Sequence, residues 1–250
     1  MGALFRDARL KIDRAKKHIA DMQTAILVLE KSKTATVQRN TETRYQELVH
    51  DIPGWETALL NMSLIAGDAL HNLRVALDYA WASAIERYVP NAVSGFNKFP
   101  VLRTRKEVEA ALCGIKIDTA CPALFDAVLS EISNVQPYER GQNGVIWALH
   151  QLDISDKHLL LLGLRPFAGI KGIVVKDADG DVVHGPTLGT ETAPPYVITF
   201  HNKVEIQNKG ELVFEVTIEE AGVFKGLGIL DLLATFSQYV LYVVQLFEKL

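Results

Sequence analysis

An α+β fold follows from three observations on the 250-residue chain. Apolar residues recur at helical spacing through most of the first 158 positions, short β-rich runs separated by turn residues come next, and a long apolar helix closes the chain. The expected architecture is a single α+β domain over 1–250: a mainly helical part at 1–158 containing a small hairpin, an antiparallel β meander at 159–220, and a C-terminal helix at 225–250.

The first helix is expected over Ala3 to Glu30, where Leu10, Ile12, Ala15, Ile19, Met22, Ile26 and Leu29 form one stripe and Lys and Arg the other. Thr34-Ala35-Thr36-Val37 and Tyr45-Gln46-Glu47-Leu48-Val49, split by Asn40-Thr41-Glu42-Thr43, suggest a hairpin. After the break at Ile52-Pro53-Gly54 a second long helix runs from Trp55 to Tyr88 and ends at Val89-Pro90-Asn91. Phe96 to Pro100 is expected to be extended. Thr104 with Glu107 has capping-box spacing and opens a short helix, and another is expected over Pro122 to Ile132. Gln136-Pro137-Tyr138 and Gly141 to Gly144 then punctuate the chain before a helix leading to His158. The expected strands are Leu159 to Leu164, Gly172 to Lys176, Val182 to His184, Tyr196 to Phe200, Lys203 to Ile206 and Leu212 to Ile218, with turns at Asp177-Ala178-Asp179-Gly180 and Asn208-Lys209-Gly210.

Composition excludes several classes. With 48% hydrophobic and 22% charged residues the chain is neither disordered nor fibrous, and a net charge of −4 provides no global field toward nucleic acid or anionic lipid. Any phosphate-binding surface is therefore local. Cys113 and Cys121 lack a second pair for a four-ligand zinc site and read as unpaired thiols of a cytoplasmic protein. No secretory leader is legible in the charged N-terminal run. Asp231, Gln238 and Gln245 place a polar stripe on the closing helix, which therefore reads as a buried or partner-facing helix and not a membrane span; its apolar surface (Leu230, Leu233, Phe236, Val240, Val243, Val244, Phe247) suits packing on the meander or a homodimer.

Two stretches set charged and imidazole side chains inside helices otherwise built for burial: Gly67-Asp68-Ala69-Leu70-His71-Asn72-Leu73-Arg74 with Leu77-Asp78, and Trp147-Ala148-Leu149-His150-Gln151-Leu152-Asp153 with Asp156-Lys157-His158. On a helical wheel Asp68, His71, Arg74 and Asp78 share one stripe, and His150, Asp153 and Lys157 another. The two motifs are expected to meet in space, and three readings follow. In the first, His71 and Arg74 pair with Asp153 or Asp156 as a buried latch, because buried charges are costly unless paired. In the second, Arg74 and Lys157 hold a phosphate of RNA or another phosphoester, His71 and His158 act as general acid and base, and Asp78 or Asp153 orients an imidazole. In the third, Asp68, His71, His150, Asp153 and His158 bind a divalent metal, against the repulsion of Arg74 and Lys157. Whether the chain is an enzyme stays open between these.

No cofactor is expected: Gly226-Leu227-Gly228 lacks the rest of a dinucleotide motif, Asp177 to Asp181 reads as a hairpin turn and not a calcium loop, and no nucleophile elbow or P-loop is present. His18, His50, His184 and His201 are isolated and read as surface residues, and Trp55, Trp81 and Trp147 as core aromatics.

The two polar motifs, together with Gln136-Pro137-Tyr138, resemble a family of uncharacterised bacterial and phage proteins with the same motif order and a similar length. The resemblance implies no activity. In many of those relatives a His follows the Leu-Asp pair, where this chain has Tyr79. The spacing from Arg74 to Tyr79 also resembles that of HEPN-type helical ribonucleases, in which Arg and His stand on one helix with four residues between them. That likeness implies metal-free RNA cleavage, with Arg74 on the scissile phosphate and a site assembled by two protomers. Tyr79 in place of the imidazole and the β meander both depart from the pattern.

Overall fold

The computed structural model describes residues 5–89, 98–129, 135–139, 141, 144–158, 162–185, 188–190, 193–201, 204–219 and 224–250, without the side chains at 158, 188 and 190. Its elements, in chain order, are α1 (Arg6–Ser32), β1 (Thr34–Arg39), β2 (Gln46–Asp51), α2 (Trp55–Tyr88), α3 (Arg105–Gly114), α4 (Ile117–Ala120), α5 (Pro122–Leu129), α6 (Val145–His158), β3 (Leu164–Lys176), β4 (Val182–His184), β5 (Leu188–Thr190), β6 (Tyr196–Phe200), β7 (Glu205–Ile218) and α7 (Ile229–Lys249). This is an α+β fold with two small antiparallel sheets. The expected strand start at Leu159 and helix end at Ile132 lie outside the described residues.

Contacts group the chain into two compact units, one of residues 1–21, 64–162 and 231–250, the other of 22–63 and 163–230. The first unit is helical. Ala8, Ile12 and Ala15 of α1, Leu70, Leu73 and Leu77 of α2, and Leu233, Val240 and Phe247 of α7 are all buried, as their helical spacing requires. Trp81, Phe99 and Phe247 meet with ring centroids 5.7 to 6.1 Å apart. Thr104 and Glu107 form the expected capping box at the start of α3. α7 has the length and composition to cross a bilayer. Its side chains at Leu233, Phe236, Val240, Val243, Val244 and Phe247 are buried in the fold, while Asp231, Gln238 and Gln245 are exposed.

The second unit holds the sheets. β1 and β2 form the expected hairpin, and β6 joins β2 to give the order β1-β2-β6. β3 is the centre of the other sheet, paired with β7 along its whole length and with β4 and β5 at two separate stretches. The turn expected at Asn208-Lys209-Gly210 is instead strand interior: the Asn208 side chain accepts from the Gly210 amide, yet the ladder continues on both sides. Gly172 and Gly210, at opposite points of the two strands, both take a positive φ of 75°. There the burial pattern of β3 changes phase, from even-numbered residues up to Ile170 to odd-numbered ones from Ile173. A local break in the pleat thus turns β3 over at Gly172, while its pairing with β7 resumes at Ile173 and shifts register between Val174 and Val175. His18 and His50, read as surface residues from sequence, are buried at 8% and 2% exposure, and His50 donates from Nε2 to the Lys209 carbonyl at 2.9 Å.

The two glycines differ in their surroundings. A Cβ at Gly210 would lie 2.8 Å from the Lys171 carbonyl oxygen, whereas one at Gly172 meets nothing. Gly172→Ala is expected to cost the left-handed penalty alone, about 1–2 kcal/mol. Gly210→Ala is expected to cost clearly more, because backbone must shift as well; paired urea melts measure the difference, and equal costs would refute the steric account.

Candidate functional site

The two polar motifs meet along α2 and α6, within the helical unit. Gly67 faces Asp156, His71 bonds Asp153, and Arg74 bonds His150. As the chain is followed up α2, its partner recedes down α6, so the helices run antiparallel here and the motifs interlock in opposite directions. Glycine leaves room at the first contact: a Cβ at position 67 would lie 2.5 Å from the Asp156 carboxylate oxygens, so that side chain would have to swing aside. The β-carbon that a helix normally carries is replaced by an acidic side chain from its neighbour.

Arg74 is buried, at 6% exposure. One terminal nitrogen pairs with Asp78 a turn later, the other donates to the Phe99 carbonyl at 3.0 Å, and Nε donates to His150 Nδ1 at 3.3 Å. Asp78 returns to the same residue by accepting from the Phe99 amide at 2.8 Å. The ion pair therefore grips both polar groups of Phe99, whose ring sits against Trp81 and Phe247. All three guanidinium nitrogens are spent inward, the arrangement that makes a buried charge tolerable.

A second, shallower set lies at the rim. Asp153 is buried at 4%, yet its carboxylate reaches His71 Nδ1 at 3.2 Å through one oxygen and Lys157 Nζ at 2.6 Å through the other. The His71 and Lys157 side chains keep 46% and 41% of their surface exposed. A carboxylate on Nδ1 fixes the imidazole and leaves Nε2 toward solvent, the orientation a general base needs.

His150 joins the two sets. Because Arg74 donates to its Nδ1, the neutral ring carries its proton on Nε2. Burial pushes its pKa below the ordinary imidazole value, and the Arg74 charge adds to this; Asp153 and Asp78 oppose the shift, and Lys157 adds a small contribution of the same sign as Arg74.

Of the residues singled out from sequence, His71, Arg74, Asp78, His150, Asp153 and Lys157 come together, and Asp68 stands exposed on α2. The His158 side chain lies outside the described residues. Tyr79 points away from Arg74, into a shallow cleft with Leu10, Lys11, Arg14 and Asn72. Among the described residues no three His, Cys, Asp or Glu side chains are grouped to hold a metal ion. Sequence reasoning missed Phe99, which takes part through its backbone and so leaves no side-chain signature. It also missed Arg9 and Glu248, which pair bidentately between α1 and α7; the bond from Arg9 holds the Glu248 carboxyl below its ordinary pKa.

No family model, curated protein or solved structure matches this chain.

The lowered pKa of His150 sets a sign. The unfolded imidazole, with its ordinary value near 6.5, binds a proton before the folded one does, so this group's contribution to stability is complete above about pH 6.5. It is lost as pH falls through the lower folded pKa. His50, also lowered by burial, acts in the same direction. Melting temperature is expected to fall between pH 7 and 5, and His150→Gln to reduce that fall without abolishing it. A His150→Gln profile as steep as wild type would refute the assignment.

Proposed function

We propose that the two polar motifs are a structural latch and that the chain works as a noncatalytic interaction module whose helical unit this latch holds in one arrangement. The observation that supports the reading is the inward engagement of Arg74 by Asp78, the Phe99 carbonyl and His150. To take a phosphate, this guanidinium must first release a carboxylate or a carbonyl that is then left poorly satisfied. A cytoplasmic setting belongs to the same proposal, on the ground of the two unpaired cysteines. Homodimerisation through α7 would have to use its outer side, around Asp231, Gln238 and Tyr242, since the apolar side is occupied.

A second reading, phosphate- or RNA-directed chemistry, is favoured by His71, half-exposed and held by a buried carboxylate beside Lys157. In it His71 moves the proton, Asp153 orients it, Lys157 supplies the positive charge and His158 the second imidazole, while Arg74 and Asp78 keep a supporting role. The HEPN likeness, which needs Arg74 on the scissile phosphate, draws no support from an arginine turned inward.

Thermal melting with an RNA-cleavage assay separates the two. Arg74→Ala and Asp78→Ala are expected to cost about 3–5 kcal/mol, or about 6–20 °C in Tm, by breaking a buried pair. His71→Ala, at a partly exposed pair, is expected to cost about 1 kcal/mol or less. RNA hydrolysis by the wild type that disappears in His71→Ala, together with Arg74 and Asp78 variants that melt like wild type, would overturn the latch in favour of the catalytic reading.

A further inference from the structure

A cleft in the second unit, remote in sequence from both polar motifs, has its own chemistry. It lies at the turn end of the β1–β2 hairpin, with a volume of about 560 Å³. That is within the ~300–1,000 Å³ range of small-molecule sites. Its lining includes Arg39, Arg44, Tyr45 and His201, with Gln38 and Phe200 beside them. Among the described residues no carboxylate lines it.

The charge there is available. Arg39 uses only Nε, donating to the Arg44 carbonyl at 3.1 Å, and neither guanidinium forms an ion pair among the described residues. The nearby acid on β2, Glu47, is buried and already accepts from Gln38 Nε2 at 3.1 Å and Asn40 Nδ2 at 2.7 Å. Aromatic surface adjoins the charge: Tyr45 and His201 meet edge to face at 4.8 Å between centroids. Arg44 also holds a positive φ of 64°, a conformation glycine or asparagine adopts at lower cost. A bulky cation is thus kept where the turn alone would favour a smaller residue.

We propose that this cleft binds a nucleotide, free or as one link of a single-stranded nucleic acid, with the phosphate on Arg39 and Arg44 and the base against Tyr45, His201 and Phe200. Guanidinium forks match phosphate oxygens, and every base offers a face for stacking. A simple anion would use the arginines and leave the rings idle. The chain's net charge of −4 gives no long-range attraction, so binding depends on these contacts. The inference stands apart from the latch and from the His71 rim.

The test is fluorescence anisotropy of a short labelled oligouridylate on the full chain, with UMP, ATP and inorganic phosphate as competitors. Arg39→Gln and Arg44→Gly are each expected to weaken binding about tenfold or more, the loss of a charge-assisted contact. Arg44→Gly should melt at or above the wild-type temperature, because glycine relieves the positive φ, so its loss of binding is not a loss of fold. Tyr45→Ala should weaken binding while leaving its salt dependence unchanged. Competition by UMP or ATP at concentrations comparable to the oligonucleotide supports a free nucleotide as ligand, and competition by oligonucleotide alone supports a strand. The proposal is overturned if the wild type does not bind, if the arginine variants bind as wild type, if inorganic phosphate competes as well as UMP, or if His71→Ala abolishes binding and Arg44→Gly does not.

Discussion

The helical unit depends on the grip of Arg74 and Asp78 on the backbone of a single residue, Phe99. Their ion pair spans one turn of α2 and closes on both the carbonyl and the amide of Phe99. Among the described residues the segment at Phe99 has no strand partner to satisfy those groups, and buried backbone polar groups left unpaired each cost as much as a lost hydrogen bond. The latch removes that cost and fixes where the Phe99 ring enters the core. Trp81 and Phe247 then pack on that ring, which ties α7 to α2. Charge and hydrophobic burial are coupled at this one residue.

From Arg74 outward the basic and imidazole side chains become more accessible. Arg74 is sealed, His150 is partly buried and has its pKa lowered by that burial, and His71 and Lys157 reach solvent from the buried carboxylate of Asp153. A gradient of this kind assigns different physical roles to residues that look alike in sequence. Arg74 and Lys157 are not equivalent, since Arg74 has three inward partners and Lys157 reaches solvent from a single buried carboxylate.

Much of the fold was legible because periodicity reports which face is buried. α2 and α6 bear the two motifs where the helical spacing places them, the hairpin at 34–51 and the capping box at Thr104 follow from local chemistry, and the polar stripe of α7 is on its exposed side. Glycine misled at Asn208-Lys209-Gly210, since a positive φ serves a turn and a strand kink equally and only the partner strand distinguishes them. The isolated histidines misled for a related reason. Burial of His50 depends on β7 supplying a carbonyl from far along the chain. The cleft at the hairpin end has no sequence signature, because Arg39, Arg44 and Tyr45 of the hairpin meet Phe200 and His201 from far along the chain, with no periodic relation.

By itself the sequence determined the class of fold, the helical positions of the two polar motifs and the residue types available to bond between them, because those depend on local period and on the cost of burying charge. Tertiary structure alone decided which cation is sealed and which is open, that a backbone peptide at Phe99 is the object of the latch, and that Arg39, Arg44, Tyr45 and His201 share a cleft. Those outcomes rest on contacts between segments distant in the chain, and whether a polar group is satisfied depends on where its partner's backbone lies, which no local pattern encodes.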